Sequence, residues 1–152
     1  MLLESLAHAV EFSLEHAQEI CGTASPALYL AGFSSGASAV GAVAFQYPEV
    51  KRILLLSAYD SVGDSFYDGV TQFPGDIYLA YGSEDPIAGF LAYVLALGPL
   101  AASSFRVKQI PNCDHRFSGE TNSQLVTKAF YWAFCGDDSF PEPAGVPELP
   151  QL

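Results

Sequence analysis

Basic side chains are scarce in this chain. Lys and Arg together number 6 against 17 Asp and Glu, which gives a formal net charge of −11 at pH 7. The basic residues form no cluster that could contact a run of phosphates. We therefore expect no nucleic-acid partner and no attachment to an anionic membrane surface, and the acidic excess mainly favours solubility.

The sequence also lacks the marks of secreted, zinc-binding and membrane-spanning proteins. Its cysteines, Cys21, Cys113 and Cys135, are odd in number and widely spaced, so neither a disulfide framework nor a zinc site is expected. Residues 1–21 contain glutamates but no Lys or Arg, unlike a signal peptide. No apolar run approaches the about 20 residues of a membrane span. These absences predict a cytoplasmic protein.

Apolar residues, in contrast, are abundant. They make up 50% of the 152 residues, enough for one domain with a substantial core. Apolar spacings of three and four predict an amphipathic helix over residues 2–20, on which His8 and His16 are interpreted as surface histidines. Four prolines and four acidic residues in 137–152 predict a tail without its own fold, after a domain covering 1–136.

The middle of the chain alternates between short strands and helices. Strands are predicted at residues 27–33, 50–57, 76–81 and 105–110, and helices at 36–47, 87–97 and 120–134. Residues 58–75 show no clear period and are interpreted as a loop with at most one helical turn. This alternation predicts an α/β three-layer sandwich, built on a short, mainly parallel sheet of about four strands.

One stretch contains a motif with chemical meaning. An apolar strand ends in Gly32-Phe33-Ser34-Ser35-Gly36, and a helix rich in small residues follows. This Gly-x-Ser-x-Gly pattern between strand and helix is the form of a nucleophile elbow, in which the serine lies on a tight, strained turn. Gly32 and Gly36 are both expected to leave room for that turn. The alternative interpretation is an ordinary βα turn with a serine cap.

Two further polar residues follow predicted strands. A serine hydroxyl needs a base to become nucleophilic, and the base needs an acid to orient it. Ser34, Asp85 and His115 each come just after a strand, and the carboxyl ends of parallel strands meet at one edge of the sheet. We therefore predict Ser34 as nucleophile, His115 as base and Asp85 as orienting acid.

Alternatives remain for the last two roles. Asp85 is also interpreted as a turn or helix-cap residue, with Asp60 as the next candidate acid and Glu84 after it. His115 has the alternative role of a plain loop histidine. Asp114 is expected to shape the loop, because neighbouring side chains tend to diverge.

Three segments carry a resemblance to a known family. They are Gly32-Phe33-Ser34-Ser35-Gly36, Tyr81-Gly82-Ser83-Glu84-Asp85-Pro86 and Cys113-Asp114-His115-Arg116-Phe117, and they supply the three residues in the order Ser, Asp, His. Over about residues 2–135, the chain resembles the C-terminal half of an α/β-hydrolase, closest in style to small dienelactone-hydrolase-like esterases.

That resemblance implies a truncated α/β-hydrolase fold. It also implies a serine hydrolase that acts on a small-molecule ester or related acyl bond, with no metal and no cofactor. The backbone N–H of Ser35 would be one oxyanion donor. We further hypothesise that four aromatic side chains help to line an apolar acyl pocket: Phe33, Tyr59, Phe66 and Phe117.

The chain departs from the family before the elbow, where only one helix is predicted. In the family, further strands precede the elbow, and a loop among them donates the second oxyanion N–H. The strand from Ala27 to Phe33 is therefore expected to be an apolar sheet edge that seeks a partner. Three outcomes stay open: a fragment of a longer protein, a homodimer or partner complex through this edge, or a minimal and catalytically weakened relative.

Two other functions follow from these considerations. One is a catalytically incomplete α/β-hydrolase fragment that acts as a binding or dimerisation module through its exposed sheet edge. The other, a flavodoxin-like binding domain, is weaker, because Gly-Phe-Ser-Ser-Gly is not the phosphate-binding GxGxxG pattern.

Overall fold

The computed structural model describes residues 1–141 of the chain, and in them strands alternate with helices. The strands are β1 (Leu28–Phe33), β2 (Val50–Leu56), β3 (Asp76–Gly82) and β4 (Ser104–Ile110). The helices are α1 (Leu2–Glu15), α2 (Ala17–Cys21), α3 (Ser35–Val43), α4 (Asp64–Gln72), α5 (Pro86–Leu97) and α6 (Glu120–Cys135). A short 3₁₀ turn, Ala44–Gln46, extends α3.

The four strands form one parallel sheet in the order β1-β2-β3-β4. Ile53 and Leu55 of β2 pack on the face covered by α3, α4 and α5, whereas Leu54 and Leu56 pack on the face covered by α6. A strand buried on both faces reads as a continuous apolar run, which is why the sequence of β2 shows no alternation. The predicted α/β sandwich with a four-stranded parallel sheet is confirmed.

Two helices differ from the prediction. The first predicted helix is interrupted at His16, whose ψ of 11° lies outside the helical range. The region predicted as a loop contains the nine-residue helix α4, whose buried side chains are Phe66 and Val70. Its remaining buried residue, Gly69, lies against the backbone of α3. A glycine inside this short polar helix lowers its helix propensity. The helix is stabilised by its contact with α3, and its own sequence therefore shows no clear apolar period.

The packed part of the chain continues past residue 136. Phe140 is buried and its ring stacks on Trp132 of α6, with ring centroids 5.1 Å apart. The Lys108 ammonium group donates a hydrogen bond to the Phe140 carbonyl oxygen at 3.1 Å. The predicted boundary at 136 therefore precedes the last residues that pack on the domain, and the rest of the predicted tail, 142–152, lies outside the described residues.

β1 lies at one edge of the sheet, and within residues 1–141 it pairs only with β2. Tyr29 and Phe33 of this strand are exposed, and the Tyr29 ring stacks on Phe134 of α6. Among the described helices, none has both the length and the apolar character needed to cross a lipid bilayer.

Candidate active site

Ser34 occupies the sharp turn between β1 and α3. Its φ of 56° and ψ of −119° are strained for a residue with a side chain, as expected for a nucleophile elbow. The turn is held by hydrogen bonds from the Ser34 N–H to the Leu56 carbonyl (2.9 Å) and from the Ser38 N–H to the Ser34 carbonyl (3.1 Å).

Only one of the two flanking glycines is required by packing. A Cβ on Gly32 would overlap the carbonyl oxygen of Gly36, so no other residue fits there without a backbone shift. A Cβ on Gly36 would meet no atom within 4 Å. The expectation that both glycines are needed was therefore wrong for Gly36.

A chain of two hydrogen bonds links the three predicted residues. The Ser34 hydroxyl lies 2.9 Å from His115 Nε2, and His115 Nδ1 lies 2.6 Å from Asp85 Oδ2. Asp85 is only 3% exposed, whereas His115 is 36% exposed and reachable from solvent. A buried carboxylate that accepts a hydrogen bond from the Nδ1–H group leaves Nε2 as the acceptor facing Ser34. Asp85, rather than Asp60 or Glu84, is the acid in contact with His115.

Asp85 also serves as the cap of α5. Its other carboxylate oxygen accepts a hydrogen bond from the Ala88 N–H at 3.2 Å, and Pro86 occupies the first turn of the helix. An aspartate at the N-cap followed by proline is a common helix start. The two interpretations offered for this residue, helix cap and partner of the histidine, therefore hold together.

The loops after β3 and β4 are joined by backbone hydrogen bonds. The Glu84 N–H donates to the Cys113 carbonyl at 2.9 Å, and the Ser83 N–H donates to the Ile110 carbonyl at 2.8 Å. Gly82 allows this approach, because a Cβ there would overlap the Cys113 carbonyl. The joined loops bring Asp85 next to His115.

Two neighbours of His115 have other tasks. One Asp114 oxygen accepts hydrogen bonds from the backbone N–H groups of Arg116 (3.1 Å) and Ser118 (2.8 Å), so this side chain shapes the loop. Hydrogen bonds from Ser118 lower the pKa of Asp114, which keeps it ionised. Cys113 is buried, and burial raises the pKa of its thiol to about 11.

A cleft of about 270 Å³ opens beside Ser34. It is lined by Ser34, Tyr59, Glu84, Asp85, Pro86, Ile87 and His115. Tyr59 is fixed by a 2.8 Å hydrogen bond between its hydroxyl and the Ser35 hydroxyl. Its ring stands nearly perpendicular to the His115 ring, with centroids 6.1 Å apart.

The aromatic pocket predicted from the sequence is only partly assembled. Tyr59 lines the cleft, and the exposed Phe33 ring lies 5.8 Å from the His115 ring. Phe66 is fully buried below Gly41 of α3, and Phe117 is buried in the layer formed with α6. These two side chains do not line the cleft, because they are buried in the hydrophobic core.

Three lining residues were missed as pocket residues: Glu84, Pro86 and Ile87. Their position at the carboxyl end of β3, next to Asp85, was the available signal. Within residues 1–141, no group of three or more His, Cys, Asp or Glu side chains is placed to hold a metal ion.

Comparison with known proteins gives structural matches alone. No protein-family model matches the chain, and no curated protein matches it. Among solved structures, the esterase domain of a Rhodothermus marinus protein superposes with a TM-score of 0.64 at 19% identity. That match covers 84% of this chain and 65% of that structure. The chain has an α/β-hydrolase-like fold.

Two more solved structures match over most of this chain. A putative α/β hydrolase from Agrobacterium tumefaciens gives a TM-score of 0.59 at 17% identity, covering 93% of this chain and 63% of that one. The 2,6-dihydroxy-pseudo-oxynicotine hydrolase gives a TM-score of 0.59 at 13% identity, and the match covers 92% of this chain and 50% of the hydrolase chain. The chain therefore spans between half and two thirds of the length of these structures.

Proposed function

We propose that the chain is a serine hydrolase that cleaves a carboxylic ester or a related acyl bond. The observation that carries this proposal is the hydrogen-bond chain Asp85–His115–Ser34, with distances of 2.6 and 2.9 Å, at a strained strand-to-helix turn. An ordinary serine cap needs neither the strain nor a buried acid behind the histidine.

In the proposed reaction, Ser34 attacks the carbonyl carbon of the substrate. His115 Nε2 takes the hydroxyl proton during the attack and later gives it to the leaving alcohol. Asp85 holds the imidazole in the required tautomer and stabilises its positive charge. Water then attacks the acyl-enzyme, with His115 again as base, and releases the acid and Ser34.

The first turn of α3 supports oxyanion binding. The Ser38 N–H bonds to the Ser34 carbonyl, so the N–H groups before it have no partner within the helix. We assign the Ser35 N–H as a donor to the oxyanion, where the positive end of the helix dipole also favours negative charge.

The substrate is proposed to be a small molecule. The cleft of about 270 Å³ is small for a ligand pocket, and Tyr59, Pro86 and Ile87 are among the residues that line it. Two similar structures are named an esterase domain and a hydrolase, which agrees with this reaction class.

The test is covalent labelling with a fluorophosphonate, followed by intact mass. One adduct is expected on the native chain and none on Ser34→Ala. Ser61→Ala is the matched control, because Ser61 is an exposed serine in the loop after β2, and it should label like the native chain. A folded native chain that takes up no probe would contradict the proposal.

A second candidate function rests on the β1 edge. This strand pairs only with β2 in the described chain, and its Tyr29 and Phe33 side chains are exposed. An unprotected apolar edge favours pairing with another strand. In this alternative, the domain is a binding or dimerisation module, and the site at Ser34 is incomplete without the partner.

A further inference from the structure

Glu84 is one of the residues that line the cleft, and its charge helps to raise the pKa of the Cys113 thiol. Glu84 is exposed, and within residues 1–141 its side chain makes no hydrogen bond or ion pair. Asp85 differs, since both of its oxygens are engaged. The Glu84 N–H donates a hydrogen bond to the Cys113 carbonyl, so the backbone that carries this side chain is held in place.

Tyr59 forms another part of the wall. Its hydroxyl is held by Ser35, and its ring packs edge-on against His115, so the ring is fixed in place. The face of a tyrosine ring attracts cations through its quadrupole, most strongly where water is displaced.

None of the seven described residues that line this cleft is Lys or Arg. Arg116 follows His115 but is exposed, and its charge acts on Asp114, whose pKa it helps to lower. Asp60, next to Tyr59, adds a further exposed carboxylate. The net charge of −11 on the whole chain also favours the approach of a cation over that of an anion.

We propose that the substrate carries a compact cationic group, a quaternary or protonated amine, that binds between Glu84 and the Tyr59 ring. This inference names the substrate class of the proposed hydrolase and rests on that function. The carboxylate attracts the charge, the ring offers its face, and Ile87 contacts the methyl or methylene groups. A neutral group of the same shape keeps only the apolar contact.

A binding experiment tests this without catalysis. Choline and 3,3-dimethylbutan-1-ol have nearly the same shape but differ in charge. Each is titrated into the folded Ser34→Ala variant and followed by the NMR signals of Tyr59 and His115. Choline should bind about fivefold more tightly at low salt, as expected for one exposed ionic and one cation–π contact. Added NaCl should reduce this preference, because exposed charges are screened.

Matched variants assign the effect to a residue. Glu84→Gln keeps the shape but removes the charge, so the preference should fall to about one. Glu49→Gln is the control, because Glu49 precedes β2 at the opposite end of the sheet. This variant should keep the preference of about fivefold for choline over 3,3-dimethylbutan-1-ol. Equal binding of the two alcohols, no binding of either, or a preference retained in Glu84→Gln would overturn the inference.

Turnover separates this inference from the proposed function. The native chain is given the acetates of the same two alcohols. If choline binds through Glu84 but Ser34 takes up no fluorophosphonate and neither acetate is cleaved, the hydrolase proposal fails and the cation cleft stands. If both are cleaved with equal kcat/KM, the hydrolase stands and the cation preference fails.

Discussion

Gly32 packs against the backbone of Gly36 with no room for a side chain, whereas Gly36 faces open space. We expect Gly32→Ala to lower the free energy of unfolding by at least about 3 kcal/mol, because the overlap is with backbone and cannot be relieved by a rotamer. Gly36→Ala is the matched control and should leave stability unchanged or raise it by up to about 1 kcal/mol, because alanine favours the helix. Urea unfolding of both variants checks this, and equal effects would contradict it.

Asp85 variants separate its two contacts. Asp85→Asn keeps an oxygen for the Ala88 N–H but loses the charge that orients His115, so we expect kcat to fall by about 10⁴ with the helix cap intact. Asp85→Ala loses both contacts, so its free energy of unfolding should be about 1 kcal/mol lower than that of Asp85→Asn. Turnover and urea titration measure the two effects. A variant Asp85→Asn that keeps more than a tenth of native turnover would remove Asp85 from the mechanism.

The three thiols should differ in reactivity with pH. Burial raises the pKa of Cys113 to about 11, so its reactive thiolate is scarce at pH 8 and increases only as the pH approaches that value. Cys21 and Cys135 are exposed. Iodoacetamide at pH 8 should therefore add two groups to the folded chain and three in urea, as read by intact mass. A third adduct forming as fast as the first two would show that Cys113 is accessible.

Two buried serines should respond oppositely to alanine. Ser57 follows β2 with φ of 45°, and within residues 1–141 its buried hydroxyl has no hydrogen-bond partner. The Ser38 hydroxyl accepts a bond from the Val62 N–H at 3.4 Å. Ser57→Ala should be neutral or stabilise by about 1 kcal/mol, whereas Ser38→Ala should cost about 1 kcal/mol. The urea midpoints of the two variants measure these changes in stability. A larger loss of stability in Ser57→Ala than in Ser38→Ala would show that the Ser57 hydroxyl has a hydrogen-bond partner.

Pairing through the β1 edge would change the mass of the protein in solution. If the edge pairs with a second copy, light scattering after gel filtration should give a mass above 16.2 kDa that rises with concentration. Tyr29→Lys should return the mass to the monomer, because a lysine on an edge strand opposes pairing. Phe12→Lys, at an exposed position on α1, is the control and should leave the mass unchanged. A constant monomer mass for the native chain would contradict pairing through this edge.

The sequence was sufficient where topology alone decides a position. Ser34, Asp85 and His115 each follow a strand, and parallel strands necessarily bring such residues to one edge. Sequence failed where side-chain direction decides. Phe66 and Phe117 lie in segments that reach this edge, yet their rings turn into the two core layers.

The missed helix α4 and the missed cleft residues have related causes. The helix is stabilised by burial of two apolar side chains on α3, which its polar local sequence does not reveal. The sequence predicts Pro86 and Ile87 as the start of a helix. Only the position of this helix start in the folded chain shows that the two residues also line the cleft. The roles of the site residues and a cytoplasmic location stay predictions.

Ser34 and His115 are 81 positions apart, so their hydrogen bond reports on the completion of folding. The elbow needs β1, β2 and α3, because the Ser34 N–H bonds to Leu56 of β2, whereas the proposed base His115 arrives only after β4 and the following loop have docked. Contacts between such distant positions form late and slowly, because a long loop must close first. During synthesis Ser34 would lack its histidine partner until nearly the whole domain had emerged, and any chain ending before β4 would carry the elbow without His115.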